Sequence, residues 1–462
     1  MKETPTDESQ PGEPGEENNA ESHYSTDPES FIPLTRRQLV EACLEDGHLP
    51  AEDHAVYRRF ARILTAWFHH EMHETAESLK ARYDPLNPDS DLWIKTGHDD
   101  DSKPGGDEIE DLFRSVAERA NYREIPLEAI RHALEESSLI DVRTTVDFND
   151  FERIVGFYRG DTYEVRESKR LFRKIEQKVD VLQRVALLLH FKDADYFAAK
   201  SGRRKKKAEE LPFDPGKIYF YFYKNVPKHD IELLFPNVEI SMTLKDRLLF
   251  GVPAIGASVG VVLKALPRFL IIAGVILFFT MGPEAAGRLG VNRETVNNFM
   301  PILAAVLALV VTLGGFAFKQ WDKFKSKKIK FQKTVADTLF FRNLASNVSV
   351  IHRLVDQAEE AESKEILLVY YHLLVNGNGG MTKEELDGSI ETWMEKKFGR
   401  VIDFDIDGPV ANLQRLRGTG PNGEEIPLLT ITDSGHLRVA ELADSCRILD
   451  QLWDGIFDYS ES

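Results

Sequence analysis

The stretch FHHEMHETAE sets His69, His73 and Glu77 four residues apart, so on a helix they share one face, with His70 and Glu74 beside them. Two imidazoles at i and i+4 can ligate zinc. A metalloprotease would need His-Glu-x-x-His, and after His70 and Glu71 the position that must be histidine is Glu74. That motif fails. An unrelated metal or acid–base site at His69, His73 and Glu77 remains as an expectation, set against an amphipathic helix whose polar residues face water or a sheet edge. Gly377–Gly380 (GNGG) lacks the Gly-Lys-Ser/Thr of a phosphate loop and reads as a turn, and Ser434 with His436 has no nucleophile-elbow context. The two cysteines, Cys43 and Cys446, are far apart and outside any CxxC or Cys/His spacing, so neither a disulfide framework nor a zinc site is indicated. No cofactor is implied.

The elements that must position these residues are bounded by composition. At 462 residues the chain has room for two or three domains, and a formal charge of −18 argues against broad nucleic-acid binding, which needs a basic surface. Residues 1–30 hold nine acids, one lysine and no apolar run, the composition of a disordered acidic tail. No secretory or transit signal is expected there. The basic run Arg203, Arg204, Lys205, Lys206, Lys207 reads as a solvated loop, or as a patch adding about 1 kcal/mol per residue to docking on an anionic leaflet.

Two apolar runs between Leu248 and Phe318 dominate the hydropathy. Phe299–Phe318 is about twenty residues without a charge, enough on a helix to cross a hydrocarbon core of about 30 Å. The earlier run, Leu248–Gly282, is broken by Lys264 and Arg268, which share a helix face and belong at an interface. Three spans, or two spans with Leu248–Leu263 interfacial or re-entrant, both fit. The lysines after the last run, Lys319, Lys323, Lys325, Lys327, Lys328, Lys330 and Lys333, mark a cytoplasmic side and favour two spans, at about 265–283 and 299–318. Both large flanks are then cytoplasmic. Gly256 and Gly260 form a GxxxG, either a helix-packing face for self-association or flexible turn glycine.

In order along the chain, Thr35 caps a helix carrying Leu39, Val40, Cys43 and Leu44, and a longer helix runs from about Ala51 to Tyr83. Residues 84–107 are loop. LFRSVAERANY and PLEAIRHALEESS read as helices, TTVDF and RIVGFYRG as a strand pair, and VDVLQRVALLLHFK and KIYFYFYKNVP as buried strands. Residues 31–246 form one α+β domain on this reading, 247–320 the membrane region, and 321–361 a basic juxtamembrane and helical connector.

The segment FYKNVPKHDIELLFPNVEISMTLKDRLLFGVPA (Phe222–Ala254), the stretch ADTLFFRNLASNVSVIHRLVDQAEEAESKEILLVYYHLL (Ala336–Leu374) and the stretch Met381–Leu416 resemble the family of unknown function typified by eukaryotic transmembrane protein 143, with bacterial and plant relatives. The resemblance covers most of the chain outside the acidic tail and loops. It implies a membrane protein with no assigned catalytic residues; without a transit peptide, a bacterial inner membrane is the expected location.

Residues 362–458 read as helix Glu365–Val375, a helix to Phe398 boxed by Thr382 and Glu385, a third helix at about Pro409–Arg417, the strand PLLTIT, and a last helix from about Leu437 to Ile456. This order is winged-helix-like, with acids outnumbering bases, so protein contact is expected over DNA. The fold expected overall is a cytoplasmic α+β domain, a two-span transmembrane helical hairpin with a preceding apolar re-entrant or interfacial segment, and a C-terminal winged-helix-like α+β domain. The expected function is a multi-pass inner-membrane interaction or sensor module. Its partners would be the lipid bilayer, a protein held through the C-terminal domain, and further copies of itself. A metal-dependent membrane-surface enzyme and oligomeric small-solute transport are the alternatives.

Overall fold

Along Ile218–Pro227, side chains alternate between two sheet faces, as a strand's period of two requires. Ile218, Phe220 and Phe222 are fully buried in one cluster, while Tyr219, Tyr221 and Tyr223 stack along the other face with ring centroids 6.2 and 5.9 Å apart.

The computed structural model describes residues 29–91, 105–130, 143–170, 173–201, 211–241, 299–376, 379–420 and 423–457, with scattered positions between 271 and 294. The chain divides into two compact units, residues 64–362 and residues 1–63 with 363–462.

In the unit 64–362 the strands are β1 (Arg123–Glu124), β2 (Arg143–Thr145), β3 (Phe151–Arg170), β4 (Arg173–Phe191), β5 (Ile218–Pro227), β6 (Glu239–Ser241) and β7 (Asn343–Ser346). Five make an antiparallel sheet in the order β1-β3-β4-β5-β7, and β2 pairs with β6 apart from it. β4 occupies the middle, and Val185–Leu189 are fully buried because both faces are covered. On the first face lie α2 (His54–Tyr83, from Leu64 onward), α3 (Gly106–Arg119) and the first part of α6 (Val348–Val375). α2 is amphipathic: Leu64, Phe68, Met72, Ala76, Leu79 and Tyr83 recur every three or four residues and are buried. On the second face Phe151, Phe191 and Phe213 stack in sequence, centroids 4.7 and 3.7 Å apart, with Phe235 against Phe151. A short helix, α4 (Ala194–Ser201), follows β4, and α5 (Phe299–Arg342) leads directly into β7. The chain turns from β7 into α6 at Asn347, whose φ of 50° an asparagine tolerates. Its backbone N–H donates to Phe220 O at 2.8 Å and its side-chain oxygen accepts from Phe220 N–H at 3.2 Å, extending the β5–β7 ladder.

The other unit holds α1 (Arg36–Glu45), the start of α2, the end of α6, α7 (Lys383–Phe398), α8 (Asp407–Arg415) and α9 (Leu442–Asp454). It also holds the hairpins β8 (Arg417–Thr419)–β9 (Glu425–Pro427) and β10 (Leu429–Ile431)–β11 (Leu437–Val439). Thr35 and Thr382 each close a capping box, with Gln38 and Glu385. Phe60 stacks on Tyr370 at 4.0 Å, and the Tyr370 hydroxyl donates to Ser445 Oγ at 2.9 Å.

Three expectations are corrected. Among the described residues no helix is long and apolar enough to cross a membrane. This overturns the two-span hairpin, the transmembrane character drawn from it, and the multi-pass placement in a bacterial inner membrane. Phe299–Phe318 is the leading part of the 44-residue α5, which continues through the lysines to the sheet edge. What the described residues form is an α+β fold around an antiparallel sheet; Leu248–Leu263 lies outside them. Second, TTVDF does not pair with RIVGFYRG. Asp147 accepts from Asn149 N–H at 3.1 Å and caps a 3-10 turn at Phe148–Asp150 that ends the strand, and β3 pairs instead with β4. Third, Leu437–Val439 is a strand, because Gly435 at φ 80° closes a hairpin in which Leu429 faces Val439, so the last helix starts at Leu442.

Because Phe220 contacts the helices through an interior that cannot refill its volume, Phe220→Ala is expected to cost about 3–5 kcal/mol of stability. Urea unfolding of the full chain measures this, and Tyr219→Ala on the opposite face should lose less.

Candidate functional site

Helix α2 places His69, His73 and Glu77 on one exposed face, as their spacing requires. Their partners diverge. His69 Nδ1 lies 2.7 Å from Glu359 Oε2 on α6, and Glu77 pairs with Lys80 one turn on. The hydrogen bond from Lys80, with smaller help from the charges of Lys80, His73 and His352, holds the Glu77 carboxyl below its ordinary range. Among the described residues no three His, Cys, Asp or Glu are grouped to hold a metal ion.

Concavity occurs elsewhere, where α5 meets the sheet edge. A groove of about 460 Å³ is lined by Tyr221 and Tyr223 from β5, Leu233, Phe235 and Pro236 from the segment after it, and Leu339 and Phe340 from the last turns of α5. Strand alternation turns the two tyrosines to this face while Phe220 and Phe222 hold the strand to the core. Burial raises both hydroxyls, Tyr221 to about 12, so both stay protonated donors at neutral pH. Asp230 and Arg342 form an ion pair at 3.6 Å, joining the 3-10 turn after β5 to the end of α5. Phe340 and Phe341 are 77% and 70% exposed, their rings 5.3 Å apart, so the apolar lining continues onto the open surface. Sequence reading missed this site because it joins residues more than a hundred positions apart; the available signal was tyrosine at every second position of β5.

The remaining candidates fall as follows. Arg203, Arg204, Lys205, Lys206 and Lys207, and Gly256 with Gly260, lie outside the described residues. Lys319, Lys323, Lys325, Lys327 and Lys328 are carried on α5, where Lys319 and Lys325 are exposed. Ser434 Oγ and His436 Nδ1 are 2.9 Å apart at an exposed hairpin turn. Cys43 and Cys446 are free thiols, and burial pushes Cys43 up to about 12, too high for a reactive thiolate.

In the unit formed by 1–63 and 363–462, His372 is buried, with Nδ1 3.2 Å from Ser389 Oγ and no partner at Nε2. Its ring meets Trp393 edge-on at 5.7 Å. Desolvation lowers its pKa to about 4, Asp46 opposing and His48 adding slightly. The folded state therefore prefers the neutral ring, while the unfolded chain takes a proton near the ordinary value of about 6.5. Stability is expected to be complete above that value and to fall as pH drops from about 6.5 to about 4, by on the order of 3 kcal/mol. Thermal melts across this range measure it, and His372→Phe should flatten that part of the profile.

No solved structure matches the chain. Residues 151–349, from the start of β3 through β7 into α6 and including all of the groove's lining, match a family model described as protein of unknown function (DUF3754).

Proposed function

We propose that the chain is a protein-interaction module that takes a partner's apolar side chains into the groove at the foot of α5. The observation that carries this reading is the continuity between the groove and the exposed Phe340–Phe341 pair, an apolar surface of the kind that marks contact sites. Protonated tyrosine hydroxyls, and the Asp230–Arg342 pair that joins the turn after β5 to the end of α5, supply the few polar groups that would fix a partner's orientation. Farther along α5, Leu307, Val311 and Phe318 are more than 60% exposed, so the same helix offers additional apolar contact. The interaction role expected from the sequence is kept, and its surface moves from the C-terminal region to the sheet edge. Kinship with the family typified by transmembrane protein 143 is part of this reading, on the phrases from Phe222 to Ala254.

A photo-crosslinking residue placed at Phe340 of the full chain in cells tests the proposal. A discrete protein adduct is expected there, and none from the same residue at exposed Glu384. Adducts of equal yield at both positions, or none at position 340, would overturn it.

A further inference from the structure

Helix α5 turns an apolar stripe to solvent over most of its length. Leu307, Val311, Phe318, Ile329 and Phe340 are between 56% and 77% exposed. At about 100° per residue all five lie within about 40° of the line through Val311, and the exposed Asp322, Lys325 and Ala336 fall in the same band. An apolar surface of this extent on one element marks a contact site.

The charges in the middle of the stripe indicate what covers it. Asp322 and Lys325 sit between Phe318 and Ile329. Consider a second copy of α5 laid antiparallel, with a two-fold axis passing between residues 323 and 324. Asp322 then faces Lys325 of the second copy, and by symmetry Lys325 faces its Asp322, as every contact across such an axis occurs twice. The same register sets Phe318 against Ile329, Val311 against Ala336, Leu307 against Phe340, and the bulky Trp321 against the small Ser326. Lys333 meets Gly314, while Lys319 and Lys330 lie about 80° and 100° from the line through Val311, at the edges where they reach water. Parallel pairing in register would instead bring Asp322 beside Asp322 and Lys325 beside Lys325, and like charges across an interface disfavour the pairing that creates them.

The area is sufficient. Leu307 to Phe340 spans about 50 Å of helix, and helices pack with axes about 10 Å apart. A strip of those dimensions removes roughly 500 Å² from water on each copy, about 1,000 Å² together, the lower end of specific interfaces and enough for a reversible dimer.

We propose that the chain dimerises through α5, paired antiparallel with α5 of a second copy and registered by the reciprocal Asp322–Lys325 contacts. This rests on the interaction role proposed above and names the partner, since Leu307 of the second copy covers Phe340.

Sedimentation velocity of the full chain at micromolar concentration tests the proposal, and the parent is expected as a dimer. Asp322→Lys and Lys325→Asp should each weaken dimerisation at least tenfold, because like charges then meet on both sides of the axis. An equimolar mixture of the two variants should recover the parent's affinity, since each supplies the complement of the other. Phe318→Glu should leave a monomer, and melting curves confirm that each variant is folded. A monomeric parent, single reversals that dimerise as the parent does, or a mixture no tighter than its components would each overturn the proposal. So would binding of the parent to phosphatidylcholine vesicles that Phe318→Glu abolishes, which assigns the stripe to a lipid surface. The two readings fail separately. A monomeric chain that crosslinks to a different protein at position 340 sinks the pairing and leaves the groove, whereas a dimer that obeys the charge swap but gives no adduct there sinks the groove and leaves the pairing.

Discussion

Helix α6 is buried on every side through its middle, and it carries charges there. Glu359, Glu362, Lys364 and Glu365 are between 3% and 9% exposed. A charge withdrawn from water is costly unless it is matched, so each of these side chains constrains whatever lies beside it. Glu362 receives both arms of Arg119 from α3, at 2.6 and 3.0 Å, and Glu359 lies against His69 of α2. In the unit 64–362, two helices are therefore fixed in register on α6 by hydrogen-bonded polar contacts as well as by the cluster around Phe220. In the other unit Lys364 donates to the carbonyls of Ile32 and Leu34, at 3.0 and 2.9 Å, and pins the segment that precedes α1. Breaking one partner of a buried pair generally costs more than the pair contributes, because a bare charge remains. Such contacts act more as requirements on placement than as sources of stability.

That constraint also sets the partner of His69. The same spacing that would offer it to zinc also brings it to Glu359, and Glu359 is the more buried member, with 7% of its side chain exposed against 72% for His69. The groove by contrast follows from the sheet. β5 commits its phenylalanines to the helices, leaves its tyrosines on the other face, and meets α5 where that helix runs into β7.

Much of the local structure was legible. The capping residues Thr35 and Thr382, the amphipathic spacing of α2 and the alternation of β5 all follow from interactions within a few residues. Errors arose where distant partners decide. TTVDF has strand composition, but Asp147 bonds the local backbone into a turn, and the register of RIVGFYRG is set by β4. Leu437 begins a strand because Leu429–Ile431 is there to pair with it. The run Phe299–Phe318 has the length and lack of charge expected of a span, yet among the described residues no helix is long and apolar enough to cross a membrane, and the helix carrying this run continues to Arg342 and into the sheet. The groove had no linear signature at all. A unit built from both ends of the chain, 1–63 with 363–462, likewise leaves no mark in composition.

Native-state hydrogen exchange tests whether the buried, charged middle of α6 governs the placement of its neighbours. If it holds, the amides from Ala358 to Tyr371 will open only with global unfolding and rank among the most protected in the chain. Exchange of these amides through local opening, at rates like those of the surface hairpin β8–β9, would contradict it.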